Sequence, residues 1–291
     1  MSGAGHNVDT LIIGSTSVIG EAIATELSRL GRVRTAGRRH ADITFDLTHP
    51  DPHAATGESF DVAVLVAADF GGPTDEDFIR ATQVNVVGAL HACHLAASVA
   101  VKHFVLISSV SAMHMPDDPY FGVYSLSKRL AEEVVTFYCR QRSIALTIIR
   151  PTGVYDAAGK CRSHQGLLYG IVDCARAGSD FTINGAADPE RNYLHVTDLA
   201  RIVGRAVETG RTGTYVCAHP ESATVSAIAT LAFAVFGRGG RVVFDRSKPD
   251  IPAVRPLPPS AVYDDLSVWP SIALEEGLRQ IREHQPEGHP T

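Results

Sequence analysis

Apolar and polar residues follow two alternating rhythms along this chain. Short apolar runs, closed by small or polar residues, occupy 8–13, 33–36, 43–45, 61–68, 103–107 and 145–150. Between them lie longer stretches with apolar residues three and four apart, the spacing of one helix face. These cover 21–30, 74–98 and 124–142. The run Asp61-Val-Ala-Val-Leu-Val-Ala-Ala68 is almost unbroken, as expected of a parallel strand covered on both faces. Thr74 supplies a helix-capping hydroxyl, and the acids at 75–77 suit the positive end of that helix. Strict strand–helix alternation predicts an α/β fold, a Rossmann-type doubly wound parallel sheet with ligands at the carboxyl ends of its strands.

Beyond Pro151 the alternation loosens. Helices are expected at 165–177, 197–208 (capped by Thr197), 225–236 and 272–284, and strands at 181–183, 195–196, 214–216 and 241–244. Five prolines within 249–259 make that segment a stiff extended loop, and the tail after Gln285 is expected to be disordered. The pattern divides the chain into a Rossmann domain over 1–155 and a smaller α/β substrate-binding region over 156–291. Some of its segments, such as 181–200, are expected to return to the Rossmann sheet.

Composition narrows the class. The chain has 291 residues, 45% apolar and 20% charged, with a net charge of −6 and no basic excess of the kind nucleic-acid binding requires. No apolar run approaches a membrane span, and residues 1–10 carry neither a basic nor an apolar leader, so a cytoplasmic protein without a membrane partner is expected. Five cysteines, odd in number and without a Cys-x-x-Cys, suit a reducing compartment. Cys161, His164 and Cys174 lack a fourth ligand and a knuckle-like spacing, so no metal is expected.

The chemistry-bearing residues sit at strand ends. The first strand breaks at Gly14-Ser15-Thr16-Ser17-Val18-Ile19-Gly20, a turn that aims backbone N–H groups and a helix start at an anion. The second ends in Gly37-Arg38-Arg39, where an acid would accept the 2′-hydroxyl of NAD. Arginines there complement the 2′-phosphate of NADP, the preferred cofactor, unless both are simply solvated. The strand at 103–107 leads into Ser108-Ser109, and Tyr124-Ser-Leu-Ser-Lys128 places a phenol and an ammonium on one helix face. A neighbouring cation favours the ionised phenol, so Tyr124 is a candidate acid and base. Ser109 is placed to polarise a carbonyl oxygen while Tyr124 exchanges the proton.

In their order and spacing these residues resemble the extended short-chain dehydrogenases/reductases, specifically the NAD(P)-dependent epimerase/dehydratase group acting on nucleotide sugars. Asp46-Leu47, Ala67-Ala68, Asn85-Val-Val-Gly88, Arg150-Pro-Thr-Gly-Val-Tyr155 and Arg191-Asn-Tyr-Leu-His-Val-Thr-Asp198 contribute to the likeness. The resemblance implies that Gly14 and Gly20 flank the cofactor pyrophosphate and that Asp46 and Leu47 meet the adenine. Ala67, Ala68, Asn85 and Ser108 would also contact cofactor. Lys128 would hold the nicotinamide ribose and lower the pKa of Tyr124, and main chain from Pro151 to Val154 would hold the carboxamide. Ser109 and Ser111 would meet substrate, and Arg191 its diphosphate, unless Arg191 is bound to Asp188 or Glu190 instead.

Two departures matter. Ser17 stands where the family's middle glycine is usual, and would either push the pyrophosphate away or donate a hydrogen bond to it. Val110-Ser111 replaces the Asp-Glu pair of the 4,6-dehydratases, which argues against water elimination. The resulting expectation is an NADPH-dependent reductase of a nucleotide-activated 4-keto-6-deoxy sugar, forming a homodimer through the helices at 75–98 and 124–142. An epimerase with tightly bound NAD, a reductase of a non-sugar carbonyl and a non-catalytic NADP sensor are the alternatives.

Overall fold

A computed structural model describes residues 7–51, 54–55, 57–255, 257–258 and 262–284. The expected disordered tail lies outside these residues. In chain order the first elements are β1 (Thr10–Ile13), α1 (Val18–Leu27), β2 (Val33–Gly37), β3 (Ile43–Thr44) and β4 (Val62–Leu65). Then come α2 (Asp75–Thr82), α3 (Gly88–Ser98), β5 (His103–Ile107), α4 (Val123–Gln141), β6 (Ala145–Pro151) and β7 (Gly153–Tyr155). They are followed by α5 (Gly166–Ala177), β8 (Phe181–Asn184), β9 (Glu190–Arg191), β10 (Tyr193–His195), α6 (Val196–Thr209) and β11 (Gly213–Cys217). The last are β12 (Ala223–Thr224), α7 (Val225–Phe236), β13 (Val242–Asp245), α8 (Val262–Leu266) and α9 (Leu274–Glu283).

Seven strands form one parallel sheet in the order β11-β6-β5-β4-β1-β2-β3. Every residue of β1, β4 and β5 is buried, which explains why those runs read as continuously apolar. The core beneath them joins Leu11, Leu65, Phe104 and Leu106 to Ala92, Ala131 and Val135 of α3 and α4. The strand order reverses direction at β1, so the loops leaving β1 and β4 part there and open a crevice at the carboxyl edge. This is the doubly wound Rossmann fold.

The expected helix over 74–98 is one helical run interrupted by a π-type turn at Gln83–Val87, which buries Asn85. Thr74 caps it: its hydroxyl accepts from Asp77 N–H while the Asp77 carboxylate accepts from Thr74 N–H. α1 begins at Val18, three residues before the apolar spacing suggests, because Ser17 caps it. Thr197 lies inside α6 and is not its cap.

The chain divides into two compact units, one comprising 1–151, 199–217 and 259–269, the other 152–198, 218–258 and 270–291. The expected return of 181–200 to the main sheet is corrected. β8 pairs with β13, β9 with β12 and β10 with β7, and the strand that returns is β11, beside β6. Three-residue and two-residue strands carry too little periodicity for the sequence to say which neighbour they take.

Within the second unit α7 packs against α5 and α9. The proline-rich segment is tethered there at two points. Asp250 accepts from the N–H groups of Ala186 and Ala187 at 2.6 and 2.9 Å, and Arg191 donates to the Pro252 carbonyl at 3.0 Å. No helix of the described residues is long and apolar enough to cross a membrane.

Candidate active site

β5 delivers Ser108 and Ser109 to the carboxyl edge of the sheet. Ser109 has extended backbone and caps a short 3-10 turn at Val110–Met113, its hydroxyl oxygen accepting from Ser111 N–H at 3.1 Å. α4 begins one residue before Tyr124, so Tyr124 and Lys128 stack on successive turns of one face. Lys128 is buried, and its ammonium donates to the Ile107 carbonyl at 2.8 Å, 6.0 Å from the centre of the Tyr124 ring. Phe70, from the loop after β4, lies flat on the Tyr124 ring, with centroids 4.6 Å apart and 16° between planes.

Burial controls the charge states. It pushes the Tyr124 phenol up to about 12, and the hydrogen bond with Ser109 pulls it only part of the way back. Burial also pushes Lys128 down to about 8, opposed by the negative charge of Glu132. The lowering expected from Lys128 does not set the direction here: burial does, and the ammonium is aimed at the Ile107 carbonyl. At neutral pH Tyr124 carries its proton.

The glycine turn closes tightly on itself. Gly14 sits at φ 93°, where a Cβ would lie 2.5 Å from Ala67 N, and a Cβ on Gly20 would lie 2.4 Å from the Gly14 carbonyl oxygen. Only backbone fits at these two points, as a pyrophosphate cradle requires. Ser17 accepts from Gly20 N–H at 3.0 Å and donates to the Gly14 carbonyl at 3.2 Å. Its hydroxyl is thus spent on the turn, and neither outcome expected for Ser17 describes that arrangement. Ser15, Thr16, Val18 and Ile19 complete the loop and the first turn of α1.

The remaining expected residues fall into four groups. Arg38 and Arg39 are exposed directly after β2, Arg38 near Asp46, whose carboxylate accepts from Thr48 N–H and hydroxyl at 2.8 and 2.7 Å. Leu47 and Ala67 flank the core, with Ala67 N–H donating to Ile13 O, while Ala68 follows in the loop after β4. Asn85 has both ends of its amide engaged with protein: it accepts from Asp69 N–H and donates to Asp69 O and to Ser127, clamping that loop to α4.

Pro151 ends β6, paired with Cys217. Val154 and Arg191 belong to the second unit. Arg191 donates to the carbonyls of Glu190 and Pro252, and Asp188, an expected alternative partner, accepts from Ser226 N–H and hydroxyl. Among the described residues no group of three His, Cys, Asp or Glu side chains is gathered as for a metal.

Sequence reasoning missed Glu132 and Phe70. Glu132 continues the four-residue spacing of Tyr124 and Lys128, a signal that was present; nothing local marks Phe70. Glu132 is buried and accepts from Ser108 at 2.5 Å and from Arg150 Nε at 2.9 Å, with a second bond to Arg150 Nη2.

A doubly wound sheet with a glycine turn at its switch point and a Ser/Tyr/Lys set at the same edge defines a Rossmann-type dehydrogenase/reductase. Residues 10–218 match the NAD dependent epimerase/dehydratase family, and the chain belongs to that family of enzymes. Its relatives include a dTDP-4-dehydro-6-deoxy-D-allose reductase of Streptomyces bikiniensis, 28% identical over 55% of this chain and 51% of that one. The chain thus matches about half that relative's length. A probable GDP-L-fucose synthase 1 of Oryza sativa subsp. japonica is 28% identical over 92% of this chain and 88% of its own. Among solved structures, RMD from Pseudomonas aeruginosa complexed with NADPH superposes with a TM-score of 0.76 at 17% identity, covering 95% of this chain and 98% of that one.

Proposed function

We propose that this enzyme is an NADPH-dependent reductase of a nucleotide-activated 4-keto-6-deoxy sugar. The observation that carries the reading is the Tyr124 phenol, hydrogen-bonded to Ser109 at the end of β5 and one helical turn from Lys128. Carbonyl reduction needs an acid at the oxygen, and a protonated phenol is that acid. When bound, reduced nicotinamide supplies the hydride to the carbonyl carbon. Ser109, whose oxygen accepts from Ser111 N–H, would turn its hydrogen from the Tyr124 oxygen to the carbonyl oxygen when substrate binds. Tyr124 then gives its proton to that oxygen as negative charge develops there. Lys128 steadies the phenolate left behind, its place fixed by the Ile107 carbonyl.

The glycine turn fits a dinucleotide pyrophosphate, and exposed Arg38 and Arg39 support the phosphorylated cofactor. The reductase and synthase names of the two relatives support a nucleotide-sugar substrate.

The test is loss of NADPH absorbance, and separately of NADH, with a panel of nucleotide 4-keto-6-deoxy sugars. Consumption of NADPH with one of them supports the reading. No consumption, with nicotinamide released only on denaturing the protein, replaces it with the epimerase. Exposed Phe78, Ile79 and Val87 on the α2–α3 run and Phe137 on α4 support pairing of these helices in a homodimer. A strictly monomeric species in sedimentation at micromolar concentration counts against it.

A further inference from the structure

Glu132 is a carboxylate buried to 5% exposure, a costly placement unless every oxygen is paired. Its partners lie at the carboxyl ends of two adjacent strands, Ser108 just after β5 and Arg150 next to last in β6. Oε1 accepts from the Ser108 hydroxyl and from Arg150 Nε, and Oε2 accepts from Arg150 Nη2. Ser108 immediately precedes Ser109, and Arg150 immediately precedes Pro151. Ser108 N–H also donates to Ile149 O at 2.7 Å, so the two strand ends are joined to each other as well as to α4. Glu132 follows Lys128 by one helical turn on the same buried face.

We propose that Glu132 is a positioning residue of this site: it locks the strand end carrying Ser109 to α4 and sets a carboxylate one helical turn from the buried Lys128 ammonium. The charged and titratable groups around Lys128 are few. Its own helix contributes Tyr124 and Glu132; β5 contributes the Ile107 carbonyl and the hydroxyls of Ser108 and Ser109. β6 contributes Arg150, whose charge is taken up by Glu132, and the loop after β4 contributes Asp69, which is paired with Arg80 at 2.7 Å. Among the described residues Glu132, though paired with Arg150, is the carboxylate whose charge partly opposes the effect of burial on Lys128. Its catalytic consequence rests on the reductase reading, whereas its effect on Lys128 does not.

The sequence contains four lysines, Lys102, Lys128, Lys160 and Lys248, so 13Cε-lysine NMR resolves Lys128 without any substrate. In the wild type Lys128 is expected to titrate near 8, below an ordinary lysine because it is buried. In Glu132→Gln it is expected to titrate about one unit lower, with the other three unmoved. Where enzyme assays are run in parallel, the loss of kcat with rising pH begins correspondingly earlier. Glu132→Gln leaves a half-buried guanidinium unpaired, so Glu132→Gln/Arg150→Gln is the companion variant. It is expected to recover thermal stability and to retain a smaller part of the Lys128 lowering, since the Arg150 cation is removed as well. A Lys128 titration unchanged from wild type in either folded variant overturns the proposal. An inactive wild type with a shifted Lys128 overturns the reductase reading and leaves the role of Glu132 intact.

Discussion

The glycine turn and the α4 face solve two recognition problems at the same sheet edge by opposite means. In the turn, backbone does the work: two glycines allow close approach, and Ser17 closes the loop on itself. On α4, side chains do it: a half-buried phenol, a buried ammonium and a buried carboxylate stand on successive turns and are satisfied by strand ends. A backbone site is sensitive to volume and indifferent to pH. A site of buried charges tolerates little change in charge and responds to pH throughout.

The largest expected effect belongs to the side-chain site. Tyr124→Phe is expected to lower kcat by about 10² to 10⁴ while leaving NADPH affinity nearly unchanged, because it removes a proton donor without altering shape. Unaltered turnover would remove Tyr124 from the reaction. Next comes the backbone site, where Gly14→Ala puts a side chain at φ 93° and into Ala67. A loss of about 2–4 kcal/mol is expected in urea unfolding, with cofactor binding weakened but no change in the pH profile. A shifted profile would blur the contrast drawn above.

Lys128 gives a third contrast, through stability. Its pKa falls from 10.5 to about 8 on folding, so between those values the unfolded chain binds more protons than the folded one. Stability from this group therefore rises with pH across that window, by up to about 3 kcal/mol. Lys128→Met abolishes that rise, which comparison of unfolding free energies at pH 7 and pH 10 in both proteins reveals. An equal pH dependence in the two would mean that Lys128 is hydrated in solution. The smallest effect is at Ser17: Ser17→Ala is expected to cost about 1 kcal/mol as a lost helix cap, and Ser17→Gly only a few tenths. Equal losses in thermal unfolding would show that the hydroxyl does no capping.

Much of this was readable from residue order. β5 and α7 fall where their apolar patterns place them, and Ser109, Tyr124 and Lys128 come together at one strand end because a parallel sheet gathers its carboxyl ends. Three features were not readable. The π-type turn at Gln83–Val87 is invisible to a 3.6-residue period and is stabilised by Asn85, whose partners lie in distant segments. The short strands β7, β9, β10 and β12 depend on tertiary pairing. The direction of the Tyr124 shift depends on how deeply the phenol is buried, which spacing alone does not contain. Glu132 was the missed opportunity, since its spacing repeats that of Tyr124 and Lys128.

The most direct test of the reductase is transfer of label. NADPH deuterated at nicotinamide C4 is supplied with the nucleotide 4-keto-6-deoxy sugar that supports turnover, and the sugar product is examined by NMR. Deuterium bonded to sugar C4, one per NADPH consumed, is the expected result. Interconversion of epimeric sugars with no NADPH consumed and no deuterium in the product would contradict it.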